Sequence, residues 1–274
     1  MSNWQSATIE SNELTLHYTR TGGDKPPLVL CHGFSDDGLC WTPVAKVLSA
    51  DYDIIMLDAR GHGRSEGPEE GYGSLEHAAD VAGVIIGLGL EKPVILGHSM
   101  GAATALVLAG TYPNLAGAIL LEDPPAWWIN PPVDMNPSSR RQRFGGWIVE
   151  LKRKTAEEMI ALCRAQSPTW HEAELGPWAE SKLRLSFNVL TSEQSETVDW
   201  RTIIGKITCP ALLITADPVQ GALVTAEQAT VFHELVPQIQ VKNIARAGHN
   251  IRREQFAAFM DVVQGFLAAH HPSA

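Results

Sequence analysis

Five short apolar runs recur along the chain without alternating with polar residues. They are Leu28-Val29-Leu30-Cys31, Ile54-Ile55-Met56-Leu57, Val94-Ile95-Leu96, Ala118-Ile119-Leu120-Leu121 and Ala211-Leu212-Leu213-Ile214. A strand with one wet face alternates, whereas a strand covered on both faces does not. The runs therefore predict strands buried within a mostly parallel sheet. Parallel neighbours need crossovers, and helical stretches stand where these would run: Cys40–Leu48, Leu75–Leu88, Ala102–Gly110 and Ala226–Leu235. Thr8-Ile9-Glu10 and Leu14–Thr19 read as two further strands around the turn Ser11-Asn12-Glu13, and Ile239–Ile244 alternates as an edge strand would. The expected class is α/β, with a doubly wound sheet.

One region breaks this rhythm. Between Pro124 and about Trp200 no buried strand is legible, and Ala156–Gln166 and Ala179–Phe187 read as helices. Pro124-Pro125 ends the preceding strand, because proline cannot join an internal ladder. The reading is a core of residues 1–123 and 201–274 with a helical lid, 124–200, inserted in it. Six of the eight tryptophans fall in that stretch. Most read as packing between lid and core. Trp127 and Trp128 leave a strand end and are candidates for substrate binding.

Composition narrows the function. The 274 residues suit one large domain, and 45% hydrophobic content suffices for a sizeable core. Net charge is 21 − 31 = −10, with no basic cluster, which argues against nucleic acid and anionic membranes as partners. Cys31, Cys40, Cys163 and Cys209 lack the short paired spacing of a zinc or redox site and read as buried thiols. Residues 1–6 do not resemble a signal peptide, and no apolar stretch is long enough for a bilayer. A cytoplasmic protein acting on a small molecule is expected, as a monomer or homodimer.

The chemistry is carried by Gly97-His98-Ser99-Met100-Gly101, which follows the apolar run Pro93–Leu96 and precedes the helix-forming Ala102–Ala109. Gly-x-Ser-x-Gly between strand and helix holds a serine on a strained turn, at the positive end of the following helix. A serine hydroxyl needs a base, and the base needs an acid to orient it. His249, after a glycine beyond the last strand, is the base expected; His98, His17, His62, His270 and His271 are placed less well. Asp217, beyond the strand Ala211–Ile214, is the acid expected from the chain order serine, acid, histidine. Glu122 and Asp123, beyond Ala118–Leu121, are the alternatives. The developing oxyanion requires two N–H donors, expected from Met100 and Phe34 in the loop His32–Gly38, with the Phe34 ring beside the acyl group.

With these motifs in their order, the chain resembles the α/β-hydrolase superfamily, specifically its lidded, esterase-like members. His32-Gly33-Phe34, Asp58–Ser65, the serine turn, Asp217 and Gly248-His249 carry the resemblance. It implies an eight-stranded, mostly parallel sheet, a Ser99–Asp217–His249 triad and a helical lid after the sixth strand. Arg60, His62 and Ser65 match a loop that is structural in the family. Only Thr215-Ala216 separates Ile214 from Asp217, tighter than the family's Gly-x-x-Asp, and some relatives carry their acid after the preceding strand. Epoxide hydrolases and dehalogenases of the superfamily have aspartate where this chain has Ser99. The expected activity is cofactor-independent hydrolysis of a small to medium apolar or aromatic carboxylic ester through an acyl-enzyme, with no metal. Lactone, amide or C–C bond hydrolysis by the same triad, and a slow-turnover ligand receptor, are the alternatives.

Overall fold

The computed structural model describes residues 4–129, 144–191 and 198–270. Its centre is an eight-stranded sheet in the order β1-β2-β4-β3-β5-β6-β7-β8. The strands are β1 (Gln5–Ser11), β2 (Leu14–Arg20), β3 (Pro27–Cys31), β4 (Asp53–Leu57), β5 (Val94–His98), β6 (Ala118–Glu122), β7 (Ala211–Thr215) and β8 (Ile239–Asn243). β1 and β2 form an antiparallel hairpin, β2 meets β4 antiparallel, and all other pairings are parallel. The five unalternating runs are thus the five central parallel strands.

Their side chains divide between two cores. Val29, Cys31, Ile55, Leu57, Ile95, Ile119, Leu121 and Leu213 enter one. Leu28, Leu30, Ile54, Met56, Val94, Leu96, Leu120 and Leu212 enter the other. Burying each such side chain contributes about 1.5–3 kcal/mol, so both sheet faces demand helices. α1 (Thr42–Leu48), α2 (Ser74–Gly87) and α3 (Met100–Thr111) are the first crossovers. Between β6 and β7 lie α4 (Gly146–Lys152), α5 (Ala156–Gln166), α6 (Glu172–Arg184), α7 (Asn188–Thr191) and α8 (Trp200–Ile204), with no strand among the described residues. Then come α9 (Ala226–Leu235), α10 (Ile251–Glu254) and α11 (Phe256–His270).

α5 and α9 match their predicted bounds, and each opens on a capping box, Thr155 with Glu158 and Thr225 with Gln228. The helix expected over Ala179–Phe187 begins earlier, at Glu172, and ends at Arg184. Gly176 and Pro177 suggest a break there, yet His171 caps the start by accepting from the Ala173 amide, and the helix continues through Pro177. The C-terminal residues Ala268–His270 complete α11, and the Phe266 ring packs against His270. All four cysteines are buried and free. Among the described residues no helix is long and apolar enough to cross a membrane, and no cluster of three His, Cys, Asp or Glu is placed to hold a metal ion.

Candidate active site

Ser99 sits between β5 and α3 with φ 52° and ψ −112°, a conformation strained for any residue but glycine. Its neighbours make the turn possible by lacking side chains. A Cβ at Gly97 would run into the Gly101 carbonyl, and one at Gly101 into the carbonyl of Cys31. Close approach of α3 to β3, rather than conformational freedom alone, thus accounts for the second glycine. Met100 is the first residue of α3, so its N–H has no acceptor within the helix.

The second expected donor is oriented by its own peptide. The Gly33 carbonyl accepts the Nδ1–H of His32 at 2.9 Å and the Asp36 amide at 3.1 Å. His32 Nε2 in turn accepts the Ala59 amide at 3.0 Å, which settles the tautomer. In a trans peptide the N–H points opposite the C=O, so the Phe34 N–H faces away from this network. Gly33 itself packs on Ser99, since a Cβ there would lie 3.4 Å from the Ser99 Cβ.

His249, the expected base, has the carboxylate of Asp123 beside it. His249 Nδ1–H donates to Asp123 Oδ2 at 2.7 Å. Asp123 is fully buried and also accepts the amides of Leu223 at 2.8 Å and Val224 at 3.1 Å. Its backbone is itself unusual, with φ 43°. Asp217, expected as the acid, does not pair with His249; Asp123, the alternative, does. The Asp217 carboxylate caps the short 3-10 helix Pro218–Gln220, accepting from the Val219 amide at 2.9 Å and the Gln220 side chain at 3.2 Å. Glu122, the other alternative, is also not the partner of the imidazole. It accepts the Arg252 amide at 2.8 Å and the Arg252 guanidinium at 3.0 Å.

His98, placed less well than His249 as a base, lies on the cavity wall, its ring 4.8 Å from that of His249, and donates Nε2–H to the His249 carbonyl at 3.0 Å. Burial, then the positive charge of Arg252, holds its pKa well below the usual histidine value, so it acts as a neutral strut for the His249 loop. Ser99 and His249 line one cavity. Among the hydrogen bonds of the described residues none joins Ser99 Oγ to His249, a contact that commonly tightens only with substrate. Arg60, His62 and Ser65 stay outside the cavity wall. Arg60 pairs with buried Asp80, His62 donates to the Arg60 carbonyl at 2.8 Å, and Ser65 donates to the Asp58 carbonyl at 2.6 Å.

The cavity measures about 860 Å³ and has two kinds of wall. Phe34, Tyr72, Trp127, Phe144, Trp147, Trp170 and Trp178 make it aromatic, while Asp36, Lys182, Asn250 and Arg253 make one side polar. Of the two candidates for substrate binding, Trp127 lines the cavity and packs on Trp200. Trp128 does not: it is buried in the core against Phe232, its indole N–H donating to the Gln228 carbonyl at 2.9 Å. Trp147, Trp170 and Trp178, read from sequence as packing residues, face the cavity.

Behind the polar wall is a buried ionic cluster that nothing in the sequence pattern disclosed. Lys182 of α6 pairs with Asp36 at 2.8 Å, and Arg253 pairs with Asp36 at 3.0 Å and Glu174 at 3.1 Å. Arg252 pairs with Glu122 at 3.0 Å and stacks on Trp41. Burial acts to raise the Asp36 carboxyl, but Arg253, Lys182 and Arg252 together overcome it and hold the group well below the carboxylate range. The members come from four distant stretches of chain, so only the fold brings them together.

Comparison with known proteins shows the family and the fold. Residues 26–252 match the family described as alpha/beta hydrolase fold. An N-formylmaleamate deformylase of Pseudomonas putida is 30% identical over 273 residues, covering 96% of each chain. Among solved structures, an esterase from Rhodococcus sp. superposes with a TM-score of 0.77 at 23% identity, covering 98% of this chain and 99% of its own. An E-2-(acetamidomethylene)succinate hydrolase superposes with a TM-score of 0.74 at 20% identity, covering 97% of this chain and all of its own, 100%. The chain belongs to the alpha/beta hydrolase fold family and is by that family a hydrolase.

Proposed function

We propose that the chain is a cofactor-independent serine hydrolase that cleaves a small to medium carboxylic ester through an acyl-enzyme. The observation that carries this reading is the 2.7 Å bond from His249 Nδ1–H to buried Asp123, in the same cavity as strained Ser99. With its Nδ1 proton held by Asp123, His249 presents the lone pair of Nε2 as a base. Ser99 Oγ attacks the carbonyl carbon while Nε2 takes its proton. The N–H groups of Phe34 and Met100 receive the oxyanion. The alkoxide then leaves with the proton from Nε2, and water repeats the sequence on the acyl-enzyme.

The helices of residues 144–191 act as a lid whose aromatic wall selects an apolar or aromatic acyl or alcohol portion. The partner is a small molecule, in the cytoplasm, without nucleic acid or membrane. A second reading, amide C–N hydrolysis by the same groups, is favoured by the Pseudomonas relative, which is named for a deformylase activity.

The test is steady-state hydrolysis of p-nitrophenyl esters from acetate to decanoate, run on wild type and Ser99→Ala. Sustained turnover that disappears in Ser99→Ala is expected, and the preferred chain length sizes the cavity. Turnover confined to N-formyl or N-acetyl amides moves the assignment to the second reading. A single stoichiometric burst of product moves it to a slow-turnover receptor.

A further inference from the structure

The loop that offers the Phe34 amide is held in an unfavourable shape. Gly33 to Asp36 forms a four-residue turn closed by the Asp36 amide on the Gly33 carbonyl, at 3.1 Å. Its third residue, Ser35, has φ 66°, while Phe34, its second, is not among the positive-φ residues. That pattern is a type II turn, whose third position favours glycine. A serine there is strained, and something outside the turn must hold it.

Lys182 of α6 does so. Its ammonium donates to the Ser35 carbonyl at 2.9 Å and to Asp36 Oδ1 at 2.8 Å, and also contacts Ser181 Oγ at 3.2 Å. All three of its donors are thereby used, and its side chain is 1% exposed. Asp36 Oδ2 meanwhile accepts Arg253, four residues beyond His249. One carboxylate therefore joins the turn carrying Phe34, the inserted helix α6 and the segment carrying the base.

We infer that Lys182 and Asp36 are positioning residues for the oxyanion donor: through them the inserted helix α6 clamps the Gly33–Asp36 turn in the shape that aims the Phe34 N–H at the reacting carbonyl. The inference rests on the serine-hydrolase reading above. It makes α6 part of the catalytic geometry as well as a wall of the cavity. Losing a whole oxyanion donor costs about 10²–10³ in rate, so releasing the clamp while leaving the donor in place costs about tenfold or more.

The experiment measures kcat and KM for p-nitrophenyl butyrate, and Ki for a trifluoromethyl ketone, which binds serine as a tetrahedral adduct. Rates are normalised to enzyme labelled to completion by a fluorophosphonate, so that misfolded protein does not count. Lys182→Met is expected to lower kcat about tenfold or more with KM changed less than about threefold, and to weaken the ketone in parallel. Lys182→Arg, which keeps charge and donors, is expected to retain most of the activity. Ser35→Gly in the Lys182→Met background is expected to recover part of kcat, because glycine relieves the strain the ammonium was holding.

Should Lys182→Met fail to fold, Asp36→Asn keeps the shape and is expected to lower kcat and ketone affinity together. A normalised kcat within twofold of wild type would overturn the inference, as would a fall in kcat with unchanged ketone affinity. Wild type without Ser99-dependent turnover removes the underlying reading. Ser99-dependent turnover with unaffected variants removes only the clamp.

Discussion

β6 and β7 lie side by side and parallel, with Glu122 opposite Ile214, and each is followed by an aspartate at the same edge of the sheet. Only one of the two reaches the His249 imidazole. Asp123 is fully buried and accepts His249 Nδ1–H and two amides, whereas Asp217 is partly exposed and accepts from Val219 and Gln220. The difference lies in the turn that follows. Pro218 opens a 3-10 helix, which makes Asp217 its N-cap and spends the carboxylate on the turn's own donors. Asp123 takes φ 43° instead, and its carboxylate faces the Leu223–Val224 amides, just beyond that very turn. The β7 loop thus contributes backbone donors to an acid that β6 supplies.

The sharpest way to break this contrast is Asp123→Asn. The amide keeps the shape but stabilises the wrong imidazole tautomer, and the corresponding change in serine-histidine-aspartate enzymes costs about 10⁴ in kcat. A loss of that order is expected here in p-nitrophenyl ester hydrolysis. Activity near wild type would return the acid to Asp217.

Glu122, one residue before the acid, separates support from chemistry. Its carboxylate neutralises Arg252, whose side chain is 0% exposed. Glu122→Gln leaves that cation with only Asp36, at 3.4 Å, as a buried carboxylate partner. Breaking a buried pair by removing one member typically costs about 3–5 kcal/mol, and the remaining partner keeps the loss at or below that range. Urea unfolding is expected to show this loss, while kcat per folded molecule falls far less than in Asp123→Asn. If instead kcat collapses with stability intact, Glu122 acts in the chemistry.

The buried side of the comparison also carries acid sensitivity. Burial lowers the pKa of His62 to about 3 and that of His98 well below its usual value. Each is neutral when folded but takes up a proton near pH 6.5 when unfolded. Their stabilisation is therefore complete above pH 6.5 and declines as pH falls below it, for His62 down to about pH 3. The slope reaches about 1.4 kcal/mol per pH unit for each histidine. Melting temperature measured from pH 7 to 5 is expected to fall accordingly, and His62→Gln to reduce the slope by one proton's worth. A slope unchanged in that variant would mean that His62 titrates normally in the fold.

What the sequence disclosed depended on how local its cause was. The central strands follow from unalternating apolar runs, and Ser99 from a five-residue pattern whose glycines are demanded by Cys31 and Gly101. For the acid, chain order points to Asp217, whereas turn chemistry points to Asp123 as the partner of His249. Asp217-Pro218 is itself a capping signal, and it was the available sign that this carboxylate was occupied. Trp128 is not separable from Trp127 in the sequence, because a tryptophan pair at a strand end offers no clue to which ring turns into the core. The Asp36–Lys182–Arg253 cluster had no signal at all, since residues 36, 182 and 253 meet only after the inserted helices dock.

The smallest predicted effect completes the contrast. Asp217→Ala removes the cap of Pro218–Gln220 and leaves the amide of Val219 without its side-chain acceptor. Loss of an N-cap costs about 1 kcal/mol, and here the freed amide sits in an exposed turn where water replaces the carboxylate. Stability is expected to fall by about that amount or less, with kcat within about twofold of wild type. A larger loss of kcat than of stability would show that the turn positions Leu223 and Val224 as donors to Asp123. Asp217 would then serve the acid through the backbone without touching the imidazole.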